Sequence, residues 1–158
     1  MKKCLYYISV GEHGTRKLLV RAVFWDWLGT LEQHGREYEH AGKWLKFFYQ
    51  REVSQGIISN GREDDIRNKL LKWKLDKYIQ TIASADLDLL LKPHVDMLQY
   101  SIRQLGININ IDDVFLFIGD TETDELMTRH ARAQGINCIY VDIARDMNKL
   151  LDMLVELK

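Results

Sequence analysis

Val23-Phe24-Trp25-Asp26-Trp27-Leu28-Gly29-Thr30-Leu31 is an apolar, β-prone run that ends on a single carboxylate, after which the chain turns at Gly29-Thr30. In an open parallel sheet the strands are buried on both faces, and ligands bind just beyond their carboxyl ends. An acid in that place stands in a ligand crevice, where it can serve as a nucleophile, a metal ligand or both. Alone, the stretch fits equally a strand whose terminal Asp caps a turn. Two residues beyond Asp26, where a second polar group could cooperate, stands Leu28.

Upstream, Leu18 to Trp25 is β-prone, Gly11-Glu12-His13-Gly14-Thr15 is turn-like, and Cys4 to Val10 is β-prone again. That pattern predicts a hairpin with a longer loop, its tip solvating His13. The first arm is expected to add an antiparallel edge strand, an arm exchanged with a partner subunit being the alternative.

Downstream, a polar stretch, Glu32 to Glu37, precedes a helix expected from about Tyr38 to Val53, with Trp44, Leu45, Phe47 and Phe48 at helical spacing as core. Gly56-Ile57-Ile58 is a short buried strand running into Ser59-Asn60-Gly61. The charged segment Arg62 to Asp76 shows one helical face of Ile66, Leu70, Leu71 and Trp73, its charges reading as solvated. Tyr78 to Ser84 is a third strand candidate, and Pro93, the only proline, suits the first position of a helix that stops at Gly106. Ile107 to Ile111 reads as an apolar loop. Val114 to Ile118 is a fully apolar strand ending on Gly119-Asp120, and a helix from Thr121 to Gly135 follows. Ile136 to Val141 is a fifth strand, and Ala144 to Leu157 is expected as a closing amphipathic helix. Strands alternating with helices predict an α/β fold: a mostly parallel five-stranded sheet with helices on both faces, plus the N-terminal antiparallel edge strand.

At 158 residues, 46% apolar and 28% charged, the chain suits one soluble domain, residues 1–17 forming the β arm and 18–158 the core. A net charge of −1 gives no electrostatic footprint for nucleic acid or a membrane surface. No apolar run approaches the ~20 residues that span a bilayer. The N-terminal residues carry no signal-peptide pattern, and Cys4 and Cys138 read as free thiols, so a cytoplasmic location is expected.

Parallel strands bring four polar clusters to one sheet edge: Asp26, then Ser59-Asn60, then Lys92, then Asp120 with Asp124. Carboxylates hold a hard cation, while an ammonium and short polar donors neutralise phosphoryl oxygens, so the set describes a Mg²⁺-and-phosphate site.

This order and spacing resembles the haloacid dehalogenase-like hydrolase superfamily. Val-Phe-Trp-Asp-Trp-Leu-Gly-Thr-Leu looks like its first motif, Ile-Ile-Ser-Asn its second, Leu-Lys-Pro its third and Phe-Ile-Gly-Asp-Thr-Glu-Thr-Asp its fourth, across Leu18 to Val141. The resemblance implies a Rossmann-like three-layer sandwich and Mg²⁺ as cofactor. It implies Asp26 as the nucleophile that becomes an aspartyl-phosphate, and Ser59 and Asn60 beside the phosphoryl oxygens. Lys92 would pair with Asp26 and the phosphate. The metal would be held by Asp26, the Leu28 carbonyl, Asp120 and Asp124, with Asp124 orienting a metal water or the lysine. Plainer readings exist for several: Ser59 as a turn residue, Lys92 as a surface lysine, Asp120 as a helix cap, Asp124 as a first-turn acid.

Leu28 departs from the resemblance. Phosphatases and phosphomutases of the family carry Asp there, as the acid that protonates the leaving group and later activates water. Such a group is worth ~10²–10⁴-fold, and leucine cannot transfer a proton. Glu32 and His34, in the segment that forms a flap in this family, are the candidate replacement acids, with a solvated loop the plainer reading. Only 27 residues separate Leu31 from Ser59 and 32 separate Ser59 from Lys92, leaving no room for a cap domain. Capless relatives act on large or extended substrates or cover the site by oligomerising. The expected function is a phosphatase weakened by Leu28. The alternatives are a catalytically impaired module that binds phosphate and metal, and a phospho-acceptor domain of the response-regulator type.

Overall fold

A computed structural model describes residues 4–157. The strand β1 (Cys4–Gly11) and the longer β2 (Gly14–Trp25) form an antiparallel hairpin whose ladder runs from Tyr6↔Leu19 to Gly11↔Gly14. The connection is therefore just Glu12-His13, shorter than the expected loop, and Gly14 supplies the left-handed φ of +101° that so tight a turn needs.

Beyond the hairpin, β2 is the central strand. β5 (Ser54–Ile58) pairs with it in parallel on one side and β7 (Asp113–Gly119) on the other; β6 (Thr81–Ala83) adds to β5, and β8 (Cys138–Asp142) to β7. Leu19 is partnered by both Tyr6 and Asp113, while Ala22 to Trp25 lie between β5 and β7. β1 and β5 thus follow one another along the same edge of β2. The five core strands run in the order β6-β5-β2-β7-β8 within a seven-stranded sheet. The result is the expected Rossmann-like α/β architecture.

A register shift between Val20 and Ala22 inserts Arg21 as an extra residue opposite β7. A single insertion flips every later side chain to the other face. Leu18 and Val20 before it, and Val23 and Trp25 after it, accordingly belong to one core, while Ala22 and Phe24 belong to the other. The first core is roofed by α1 (Ala41–Gln50), α2 (Glu63–Lys72) and α5 (Met147–Met153), the second by α3 (Asp96–Gln104) and α4 (Glu122–Ala133). In α1, Leu45 and Phe48 are buried, with Trp44 and Phe47 packed against them, so these aromatics are core. In α2 only Ile66 and Leu70 are buried and Leu71 is exposed, so its apolar face is narrower than expected. Gln55, wholly buried in β5, joins the layers: it accepts from the Trp25 indole at 3.0 Å and donates to the Leu45 carbonyl at 2.8 Å.

Three expectations are corrected. The closing helix ends at Met153, and Leu154–Leu157 form a strand, β9, antiparallel to β1. Pairing gives the outer N–H and C=O groups of β1 partners, which a longer helix would leave open. β1 is consequently not an edge strand: it lies between β2 and β9 and pairs within its own chain. Third, Pro93 does not start a helix. A cis peptide joins Lys92 to Pro93 in a turn closed by His94 N–H to the Leu91 carbonyl, and α3 begins at Asp96. The third strand is also short, because Asp76–Tyr78 form a 3₁₀ turn before it. Between Leu31 and Ala41 the chain makes a small hairpin, β3 (Glu32–Gln33) with β4 (Arg36–Glu37).

Among the described residues no helix is long and apolar enough to cross a membrane. Cys138 is buried and Cys4 half-buried, both as free thiols.

Candidate active site

Asp26 continues the β2 ladder, its N–H donating to the Ile118 carbonyl at 2.9 Å. It thereby stands at the carboxyl end of the central strand, 7% exposed. The chain then coils tightly: the Trp27 carbonyl accepts N–H groups from Thr30, Leu31 and Glu32 at 3.0–3.2 Å, and Gly29 N–H donates to the Glu32 carbonyl at 2.7 Å. These bonds do not use the Leu28 carbonyl. Trp27 anchors the coil by stacking on Trp73, ring centroids 5.7 Å apart. Leu28, next in line, is 62% exposed and lines a cleft of about 320 Å³ shared with Asp26, Ser59, Asn60, Lys92 and Asp124.

Gly29 has φ +80°, and a Cβ there would occupy the space of the Asp120 carboxylate. Only glycine allows both the turn and that close approach. Gly119 works similarly, its missing Cβ making room for the Asp124 carboxylate.

At the centre, Lys92 Nζ lies 2.7 Å from Asp26 Oδ1 and 2.7 Å from Asp124 Oδ1, its side chain only 4% exposed. The expected Lys92–Asp26 pairing is present. Asp124 uses its other oxygen to accept N–H groups from Asp120 and Thr121, while its own N–H donates to Thr121 Oγ1, forming the capping box of α4. Asp124 thus serves α4 as a first-turn acid while it also holds Lys92, and the residue that caps the helix is Thr121 rather than Asp120. Thr30 Oγ1 stands 3.4 Å from Asp26 Oδ2 and 3.3 Å from Asp120 Oδ1. Ser59 Oγ accepts from Gly61 N–H at 3.0 Å and keeps its own hydrogen to donate.

Burial pushes the Asp26 carboxyl up to about 7, against the pull of the Lys92 ammonium and with the push of Asp124. Asp26, Asp120 and Asp124 bring oxygens within 4.8 Å of one another, and among the described residues Lys92 is the cation paired with two of them, Asp26 and Asp124, so negative charge is in excess. A divalent cation held by these carboxylates would complete the balance. An all-oxygen, hard donor set of this kind suits Mg²⁺. The residues present therefore fit such an ion.

The structure brings Asp26, Leu28, Ser59, Asn60, Lys92, Asp120 and Asp124 together at one sheet edge. Asn60, expected beside the phosphoryl oxygens, binds the main chain of Lys92 with both ends of its amide. The two candidate replacement acids are not in the cleft wall. Glu32 is buried and holds Lys69 Nζ at 2.7 Å, and His34 sits at the exposed tip of the β3–β4 hairpin with φ +54°. The sequence marks Thr30 only as a turn residue. Its hydroxyl bridges two carboxylates 94 positions apart in the chain, which no local spacing signals.

The sequence profile of the haloacid dehalogenase-like hydrolases matches residues 9–141. The chain belongs to that family. The fold is shared with solved haloacid dehalogenase-like structures. A superfamily hydrolase from Ehrlichia chaffeensis aligns with a TM-score of 0.70 at 13% identity, over 85% of this chain and 97% of its own. A subfamily IA hydrolase from Geobacter sulfurreducens gives 0.61 at 17% identity, over 78% and 86%. A protein from Haemophilus somnus described as a predicted phosphoglycolate phosphatase gives 0.56 at 18% identity, covering 68% of this chain but 44% of its own. Comparison with curated protein sequences gives no match. Haloacid dehalogenase-like proteins generally use Mg²⁺, consistent with the acidic cluster here.

Proposed function

We propose that this haloacid dehalogenase-like hydrolase is a Mg²⁺-dependent phosphatase acting through Asp26, built as a single capless domain. The observation that carries the reading is the buried Lys92 ammonium, 2.7 Å from both Asp26 and Asp124. A lysine so placed holds the nucleophilic carboxylate in one rotamer and puts positive charge where phosphoryl oxygens would arrive. Asp26 attacks phosphorus and becomes an aspartyl-phosphate, which water then cleaves. Ser59 donates its hydroxyl to a phosphoryl oxygen, and Asn60 fixes Lys92 through its main chain. Asp26, the Leu28 carbonyl, Asp120 and Asp124 would hold Mg²⁺, with Asp124 also orienting Lys92; the ion supplies Lewis-acid charge stabilisation at the transferring group. The capless reading is supported by the short connections: a two-residue-strand hairpin and α1 lie between β2 and β5, and α2 and a 3₁₀ turn between β5 and β6. An open site of this kind suits a large or extended phosphorylated substrate. The phosphatase description of the Haemophilus somnus neighbour points the same way.

Leu28, in the place where phosphatases of this family carry Asp, favours a second reading: a module that binds phosphate and metal with little turnover. Mg²⁺-dependent phosphate release from an aryl phosphate separates the two. Release by the natural protein above an Asp26→Asn blank supports the enzyme, and release by Leu28→Asp alone supports the binding module.

A further inference from the structure

The titratable side chains that line the cleft are Asp26, Lys92 and Asp124, and they are bound to one another: Lys92 Nζ is 2.7 Å from each carboxylate, and the second oxygen of Asp124 caps α4. The remaining acid, Asp120, takes the Thr30 hydroxyl and completes the metal-fitting set. Glu32 is held by Lys69; the histidines nearest in sequence to the motifs, His34 and His94, do not line the cleft. Where an acid could reach a departing group there is the exposed side chain of Leu28.

A site without an acid discriminates by leaving group. An alkoxide, whose conjugate acid has a pKa near the ~15.7 of water, must be protonated as it departs. A carboxylate leaves unaided, because its conjugate acid has a pKa of about 4. Resting on the reading of Asp26 as the phosphoryl acceptor, we infer that the site takes acyl phosphates, the mixed anhydrides of a carboxylic acid and phosphoric acid. An Asp26 oxygen forms a bond to phosphorus while the bond from phosphorus to the acyl oxygen breaks, its electron pair leaving on the carboxylate. One acyl phosphate is exchanged for another, so the step is close to balanced in energy and moves no proton. In the second step water attacks phosphorus, the bond to Asp26 breaks, and phosphate departs with a proton released to solvent. Among the described residues the one further carboxylate of the cleft wall, Asp124, is held by Lys92 and by the N–H groups at the start of α4. No free base therefore takes that water's proton, and the phosphorylated form of Asp26 accumulates.

The test uses the full chain with Mg²⁺ and three probes: acetyl phosphate, para-nitrophenyl phosphate and glycerol phosphate. Phosphate release and the intact mass of the acid-quenched protein are followed for the natural protein, Leu28→Asp and Asp26→Asn. Acetyl phosphate should be consumed ~10²-fold or more faster than glycerol phosphate after subtraction of the Asp26→Asn blank. The natural protein should gain the mass of one phosphoryl group, and Leu28→Asp should narrow the ratio by speeding glycerol phosphate. Asp26-dependent turnover of glycerol phosphate at a rate near that of acetyl phosphate overturns the substrate class and leaves the phosphatase reading standing. No mass gain, with the natural protein and Asp26→Asn equal on all three probes, overturns the phosphatase reading itself.

Discussion

The side-chain amide of Asn60 grips the main chain of Lys92 from both sides, accepting its N–H at 3.0 Å and donating to its carbonyl at 3.3 Å. The end of β5 is thereby tied to the residue whose ammonium sits between Asp26 and Asp124. Asn60→Ala frees the Lys92 backbone without touching any carboxylate. Turnover should fall by about 10- to 10²-fold, the cost of a misplaced catalytic group. Mg²⁺ affinity, measured by calorimetry, should hold. Loss of Mg²⁺ binding as well would show that Asn60 supports the whole site rather than Lys92 alone.

Lys92 is buried between two acids, and removing it leaves both without their cation. Lys92→Met should cost about 3–5 kcal/mol, the usual penalty for breaking a buried ion pair from one side. Mg²⁺ should restore more stability to this variant than to the natural protein, because the ion then relieves a larger charge imbalance. Thermal melts with and without Mg²⁺ check both statements.

Gly29 and Gly35 share a left-handed backbone, φ +80° and +77°, but differ in surroundings: a Cβ at Gly29 would collide with Asp120, and one at Gly35 meets nothing within 4 Å. Alanine at either position should cost about 1–2 kcal/mol for the backbone alone. Only Gly29→Ala should also weaken Mg²⁺ binding, by displacing the Asp120 carboxylate. Calorimetric Mg²⁺ titrations of the pair isolate that contact from backbone strain.

Much of this was legible beforehand because parallel α/β sheets follow strong local rules. The five core strands, the helices on both faces and the strand-end positions of Asp26, Ser59 and Asp120 follow from apolar runs ending in polar turns, whereas Lys92 comes from the loop beyond β6 and Asp124 from the first turn of α4. Long-range pairing was not legible. Leu154 to Leu157 carry a helical pattern with Leu150 and Leu151, yet β1 recruits them as a strand. Thr30 looks like any turn threonine until Asp120 arrives from a distant strand end. Glu32, a plausible acid from its place after the first motif, is instead drawn to Lys69 of α2, a partner that only the packed α2 makes available.

Burial pushes the Cys138 thiol up from its ordinary 9.0 to about 12. The neutral thiol is favoured in the folded state, so its contribution to stability is complete below about 9 and is lost as pH rises toward 12. Burial also raises Tyr7 and Tyr140, adding to the same alkaline decline. Denaturant titrations should show stability falling over this window, less steeply in Cys138→Val. A native thiol reagent should modify Cys4 and leave Cys138 unreacted until the protein unfolds.

The most direct measurement locates the phosphoryl group: rapid acid quench of the protein with Mg²⁺ and acetyl phosphate, followed by peptide mapping. The account predicts one modified carboxylate, Asp26, present with Mg²⁺ and lost when the metal is chelated. Phosphate release that proceeds at the natural rate in Asp26→Asn, or a phosphoryl group found on any other residue, contradicts it.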